Sequence, residues 1–436
     1  MKRGLIIVGA LVILGALTVS AFAGGFVVGR VSQTAPVSPT LAPPREEIIV
    51  AEEELPATDT PPVSEEPTPL RPTPDEGDLP STLGVFDYEL LETVLDLLEE
   101  QFYGELPEGE DLTYGAIRGM LLTLDDPYTS FIEPEIATII NEDATGAFEG
   151  IGAFVTMRED GYLEIAGLIS GQPAEAAGVR AGDLIVAVGD TSIVGLGLYE
   201  AISYIRGPEG TVAELEILRP GVSEPLFINV TRAMIEVPIV EAEMLDDDIA
   251  YLRLTEFDAT ADDRVEEALT ELLAEEPRAL IFDLRDNPGG WLNQAINVAD
   301  IFLDQGLVAI QRDSLGGEQR FTSRNGDLGE EIPMVVLINR GSASASEIVA
   351  GALQDRGRAL LIGAQTLGKG SVQLPNNLDN GAQLRVTIAR WYTPNEQPLH
   401  GNGLTPDIEA LWPSEAPEGE DPQLQRAIDY LMGSDG

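Results

Sequence analysis

Ser344 and Lys369 stand 25 residues apart in Gly341–Gln373, GSASASEIVAGALQDRGRALLIGAQTLGKGSVQ. The two residue types suit nucleophilic chemistry, with serine as the attacking group and lysine as its base. The chain has no cysteine and a single histidine, His400. A thiol nucleophile is therefore excluded, and any histidine base has to be His400. Lysine is the remaining common base for a serine. A solvated lysine, with a pKa of ~10.4, is charged at neutral pH and cannot accept a proton. Burial away from carboxylates has to bring it near the operating pH. Gly368 and Gly370 flank Lys369 and let the backbone close around such a site.

The elements that would position this pair can be read around it. MVVLIN (Met334–Asn339) is a short buried strand, and Ala345–Leu353 has helical periodicity. Ser344 then sits at the positive end of a helix, where N–H groups can stabilise a developing oxyanion. Ser342, Ser344 and Ser346 fit equally well as helix caps, and a lone Lys369 fits a solvated turn. Gly363–Lys369 also matches G-x-x-x-x-G-K, most of a phosphate-binding loop. Gly370 stands where that loop needs Ser or Thr, however, and the following SVQL reads as a strand rather than a phosphate-receiving helix.

A second turn lies in LIFDLRDNPGGWL (Leu280–Leu292), where an apolar strand runs into Asn287-Pro288-Gly289-Gly290. By itself it is a tight strand-to-helix connection. Strands and helices alternate from Ile249 to Ala352, with a strand at Ile249–Phe257 and helices at Ala261–Glu275 and Leu292–Phe302, which implies a layered α/β core. Between Phe148 and Arg232 the pattern changes to short strand-like runs, interrupted by helix candidates at Pro173–Val179 and Leu198–Arg206. Asp87–Glu133 is helical in periodicity and breaks at Asp126-Pro127. Beyond Lys369 the chain is strand-rich, with a hairpin turn at Asp379-Asn380-Gly381, and DPQLQRAIDYLM forms a final surface helix.

The formal net charge of −50 argues against nucleic acid and against tight contact with anionic lipid. Residues Leu5–Gly29 carry no charge and follow Lys2 and Arg3. As a helix this run is about 37 Å long, enough to cross a hydrocarbon core. Ala21-Phe22-Ala23 also fits a signal-peptidase site; the apolar run past Ala23 favours an uncleaved anchor. Either way Lys2 and Arg3 stay cytoplasmic and the rest is exported. Residues 31–84 are rich in Pro, Glu and Thr and cannot build a core.

The pair GSASASE…GKGSVQ, together with DLRDNPGG, LDDPYTSF, PAEAAGVRAGDLIVAVGD and GNGLTPDIE, resembles the C-terminal processing peptidases, tail-specific serine proteases with an inserted PDZ domain. The resemblance runs from about Leu91 to Ile408. It implies a multidomain α+β protein: an α/β layered, ClpP/crotonase-like peptidase core at 236–412, a helical subdomain at 85–145, a PDZ domain at 146–235 and a C-terminal helix at 413–436. Residues 1–30 are then the anchor or signal and 31–84 a linker. Ser344 is by resemblance the nucleophile, Lys369 the general base and Gln373 the residue that orients the lysine. Gly290 and Ala345 supply oxyanion donors, with Gly289 as the alternative to Gly290. Gly150, Ile151 and Gly152 form the carboxylate loop, and Leu198 and Ile202 line the side-chain pocket. Asp355 is structural, and His400 is a loop residue without a catalytic role. The resemblance implies a serine endopeptidase of the cell envelope that captures exported proteins by their C-termini, with no metal or cofactor. Its partners are protein substrates, the membrane and a second copy of the chain. The alternative is an inactive PDZ scaffold that binds tails without cutting them.

Overall fold

The computed structural model describes residues 86–324, 328–412 and 420–433. The anchor and linker expected over 1–84 lie outside the described residues. Among those described, no helix is long and apolar enough to cross a membrane.

The N-terminal part contains α1 (Tyr88–Gln101), α2 (Gly109–Leu121), β1 (Ser130–Ile132) and α3 (Pro134–Asp143). The sequence signalled helix alone up to Glu133, but β1 is a strand. Ser130–Ile132 is too short to show a period, and it is extended because it pairs antiparallel with Gln383–Arg385.

The chain then enters a two-stranded ribbon, β2 (Ala147–Gly150), and leaves it along the antiparallel β9 (Ala233–Glu236). Between them lie β3 (Ala153–Met157), β4 (Leu163–Leu168), α4 (Pro173–Ala176), β5 (Leu184–Val188), β6 (Thr191–Ser192), α5 (Leu198–Ile205), β7 (Val212–Leu218) and β8 (Leu226–Thr231). The sheet order is β3-β4-β5-β7-β8, so β3 is an edge strand. This unit has its own core, including Leu163, Ile165, Ile185, Leu215 and Ile217, each essentially inaccessible.

The core begins with β10 (Val240–Leu245), β11 (Ile249–Leu254), α6 (Ala261–Ala274), β12 (Ala279–Asp283) and α7 (Leu292–Phe302). It continues through β13 (Gly306–Asp313), β14 (Glu318–Ser323), β15 (Met334–Ile338), α8 (Ala345–Asp355), β16 (Leu360–Gly363), β17 (Ser371–Asn377), β18 (Gln383–Tyr392) and β19 (Ile408–Glu409), before α9 (Pro422–Leu431). The main sheet runs β10-β11-β12-β15-β16-β19, with β11 to β19 parallel. A parallel sheet is covered on both faces, so its strands are apolar throughout. ALIFD of β12 and MVVLI of β15 are buried at every position. On one face α6, α7 and α8 contribute Val265, Leu269, Val298, Phe302, Ile348 and Val349. On the other face α9 lays Ala427, with Leu424 and Ile428, over Ile281, Val335 and Leu337. Each fully buried side chain of this size is worth ~1.5–3 kcal/mol of transfer free energy. A second sheet, β1-β18-β13-β14 with β17 on β18, carries the chain beyond Lys369.

Candidate active site

Strand β15 delivers the chain into Asn339–Ala343 and α8 receives it at Ser344. Ser344 has φ 55° and ψ −112°, a conformation that side chains rarely adopt and that costs of order 1–3 kcal/mol. The surroundings over-determine it. The hydroxyls on either side are consumed: Ser342 Oγ donates to Leu284 O at 2.7 Å, and Ser346 Oγ to Asn287 O at 2.8 Å. Both are wholly buried, whereas Ser344 is half-buried at the N-cap position of the helix. Of the three serines that fitted a cap, Ser344 stands at the cap position and is the least buried.

Glu347 completes the helix cap by accepting the Ser344 N–H. It is wholly buried, and its carboxylate collects four donors. Oε2 accepts the Ser344 and Lys369 N–H groups, each at 2.9 Å. Oε1 accepts the Gly368 N–H and the Thr366 hydroxyl, each at 2.6 Å. One carboxylate therefore ties the serine turn to the lysine turn. Burial raises the Glu347 pKa, and those hydrogen bonds oppose the rise. The Leu367 N–H adds a further tie, to Ser342 O at 3.1 Å. Sequence reasoning passed over Glu347, although Ser344-Ala-Ser-Glu347 is the S-x-x-E spacing of a capping box.

Lys369 is half-buried and has no carboxylate ion pair among the described residues. Desolvation lowers its pKa, the charge of Arg385 lowers it further, and Glu347 pulls the other way. Gly370 places its backbone against that of His400. The His400 ring stacks edge-on to Tyr128 at 5.8 Å, so His400 packs behind the lysine turn. Gln373 lies on β17, and its amide donates to Ser371 Oγ at 2.7 Å and Thr387 Oγ1 at 3.3 Å. Asp355 closes the far end of α8 and accepts the Asn395 N–H at 2.8 Å.

The glycine turn after β12 meets the serine turn directly. A Cβ on Gly289 would lie 2.7 Å from Ser344 Cβ and 2.8 Å from Ala345 N, so a side chain is excluded there. A Cβ on Gly290 would strike Phe257 O. Asn287 holds the loop: Nδ2 donates to Leu254 O at 2.9 Å, while Oδ1 accepts the Gly289 N–H at 2.9 Å. The Gly289 N–H is thus engaged within its own turn, which favours Gly290 of the two alternatives.

In the inserted unit, the Ile151 carbonyl accepts from Ala174 N at 2.8 Å and the Gly152 carbonyl from Ile169 N at 3.1 Å. The C=O and N–H of one trans peptide point in opposite directions, so the Gly152 and Ala153 amides face away from that body. The register agrees: Ala153 stands opposite Leu168 as a non-hydrogen-bonded pair, which turns its N–H toward the free edge of β3. Leu198 and Ile202, one turn apart on α5, are half-buried.

An α/β core with this serine turn, interrupted by a PDZ unit with an open edge, defines a PDZ-bearing serine peptidase. Known proteins agree. Residues 248–410 match the model of peptidase family S41, residues 164–219 a PDZ domain, and residues 76–136 the N-terminal domain of the activating protease CtpB. The carboxy-terminal-processing protease of Bartonella bacilliformis is 42% identical over 336 residues, 76% of this chain and 75% of that protein. The carboxyl-terminal-processing protease of Synechocystis is 37% identical over 346 residues, 77% and 81% of the two chains. A solved photosystem II D1 C-terminal processing protease aligns over 78% of this chain and 91% of its own, at 31% identity and a TM-score of 0.48. The chain belongs to the carboxy-terminal processing proteases of peptidase family S41. The reading as an inactive scaffold finds no support among these relatives.

Proposed function

We propose that the chain cuts exported proteins whose C-termini it first captures, using Ser344 and Lys369 as a catalytic dyad. Lys369 takes the hydroxyl proton as Ser344 attacks the scissile carbonyl, and passes it to the leaving amine. Water then resolves the acyl-enzyme, with Lys369 again the base. The Gly290 and Ala345 amides receive the oxyanion, an interaction worth ~3–4 kcal/mol per donor. Gln373 orients the lysine during turnover, after releasing Ser371 and Thr387. The observation that carries this reading is the Glu347 carboxylate. It fixes the serine and lysine turns against each other, while desolvation lowers the Lys369 pKa and no carboxylate among the described residues pairs with it.

We assign tail capture to residues 146–235, flanked by the helical subdomain at 85–145 and the peptidase core at 236–412, with a C-terminal segment at 413–436 that carries α9. A tail adds to β3 as a further strand, its carboxylate at the Gly150–Gly152 loop, on the outward amides of Gly152 and Ala153, and its last side chain toward Leu198 and Ile202. The uncharged Leu5–Gly29 supports export and membrane anchoring. Helix α1 buries none of its residues and exposes Leu90, Leu91, Val94 and Leu95, which supports pairing with a second copy.

The test uses Ser344→Ala and Lys369→Ala with a protein that ends in an apolar residue. Each variant abolishes cleavage and leaves tail binding intact. Normal turnover in either one sinks the dyad.

A further inference from the structure

Arg285 stands at the mouth of the glycine turn, five residues before Gly290. Its guanidinium is nearly buried between two carboxylates from distant parts of the chain. On the inner side Asp283, itself fully buried, accepts Nε at 2.9 Å and Nη2 at 2.5 Å. Asp283 also accepts the Arg285 N–H at 2.9 Å and the Tyr251 hydroxyl at 2.8 Å. On the outer side Asp421 grips the fork end-on, with Nη1 on Oδ1 at 2.9 Å and Nη2 on Oδ2 at 2.8 Å. Gln423 takes Nη1 as well, at 3.1 Å, and anchors its own amide on Ala410 O at 2.7 Å.

Asp421 is at the same time the N-cap of α9, where Oδ1 accepts the Gln423 and Leu424 N–H groups at 3.0 and 2.9 Å. The C-terminal helix thus begins at the guanidinium that opens the turn carrying Gly289 and Gly290. That turn is under tension. Asp286 has φ 59°, and is held there by reciprocal 2.9 Å bonds with Asn339. A left-handed non-glycine residue persists only where its neighbours fix it. Arg285 is its chain neighbour, and a bidentate arginine clamp fixes direction as well as position.

We propose that Asp421 is a positioning residue: through Arg285, the N-terminus of the C-terminal helix sets the glycine turn at the distance from Ser344 that the reaction requires. The inference deepens the peptidase reading and rests on it. The proposed path from residue 421 to Gly290 runs through Arg285, without touching substrate. Small misplacements of groups aimed at a reacting centre cost about 10–100-fold in rate.

Two substitutions separate the clamp from the cap. Asp421→Ser keeps a good helix cap but is too short to reach Arg285. Asp421→Asn keeps the cap and presents an amide donor to Nη2. Turnover of a tail-bearing protein, the rate at which diisopropyl fluorophosphate labels Ser344, the labelled fraction at completion and amide hydrogen exchange over residues 284–292 are measured for each. The expected result is a fall in kcat of about 10–100-fold with KM within about twofold, a matching fall in labelling rate, full final labelling and faster exchange in the turn. Unchanged labelling rate and exchange in both variants overturn the proposal. So does a reduced labelled fraction at an unchanged rate, which would mean part of the protein had unfolded. If the unaltered protein cleaves nothing, the peptidase reading fails, and the exchange measurement still decides the clamp.

Discussion

All nine residues of α8 from Ala345 to Leu353 are buried, whereas every residue of β3 is half-buried and one edge of that strand is unpaired among the described residues. Both segments bring backbone N–H groups to a functional surface, and they differ in what surrounds those groups. Around α8 the donors are fixed from behind by Glu347, Asn287 and the buried serines, so the geometry exists before substrate arrives. In the proposed mechanism, charge that develops there meets dipoles that need no rearrangement. At β3 the outward donors of the free edge have no partner strand among the described residues, and a captured tail would supply one. On the proposed reading, chemistry uses completed hydrogen bonding and recognition uses incomplete hydrogen bonding.

The sharpest way to break this contrast is Ser344→Ala. It lowers kcat by about 10⁴-fold or more, while the affinity for a tail peptide, read by calorimetry, stays the same. A loss of both would mean the two regions are not separable.

The second concerns pH. In the proposed dyad neutral Lys369 is the competent base, and desolvation beside Arg385 lowers its pKa. Activity therefore rises with pH and levels off below the ordinary lysine value of 10.5. Between the two values the unfolded chain holds a proton that the folded lysine has released, so stability also rises with pH in that interval. A kcat/KM profile that still climbs at the ordinary value would show a solvated lysine.

Third, Glu347→Gln sets an amide against four donors and costs about 2–4 kcal/mol, read by chemical denaturation; Gly290→Ala, which meets Phe257 O, serves as the comparison from the facing turn. A neutral result at Glu347 would mean the two turns are held by something else. Fourth, Leu198→Asp places a charge at the proposed, half-buried tail pocket and weakens peptide binding about 10-fold. Last, Asp355→Ala loses one partly exposed hydrogen bond and costs about 1 kcal/mol.

The sequence exposed what is local. Buried parallel strands announce themselves as apolar runs, as ALIFD and MVVLI do, and glycines mark turns through which backbones must approach. The serine–lysine spacing and the PDZ runs became readable through resemblance. The strand at Ser130–Ile132 was illegible because its only reason to be extended is β18, some 250 residues on. The same holds for Arg285 and Asp421, which lie 136 residues apart and meet only once the sheet has formed. The strain at Ser344 was equally hidden, since a backbone angle imposed by tertiary contacts leaves no mark on residue type. Glu347 is the exception, as its S-x-x-E spacing was there to be seen.

The ribbon of β2 and β9 brings the two ends of the recognition unit side by side, and the Val237 N–H bonds across to Gly146 O at 3.2 Å. Removing everything between them leaves a gap that a few residues can bridge, so the peptidase fold would lose a loop rather than an organ. The closure entropy of such a loop changes slowly with its length. A lineage could therefore exchange one tail-reading cassette for another at this stalk, altering what is captured while the cutting machinery is inherited whole.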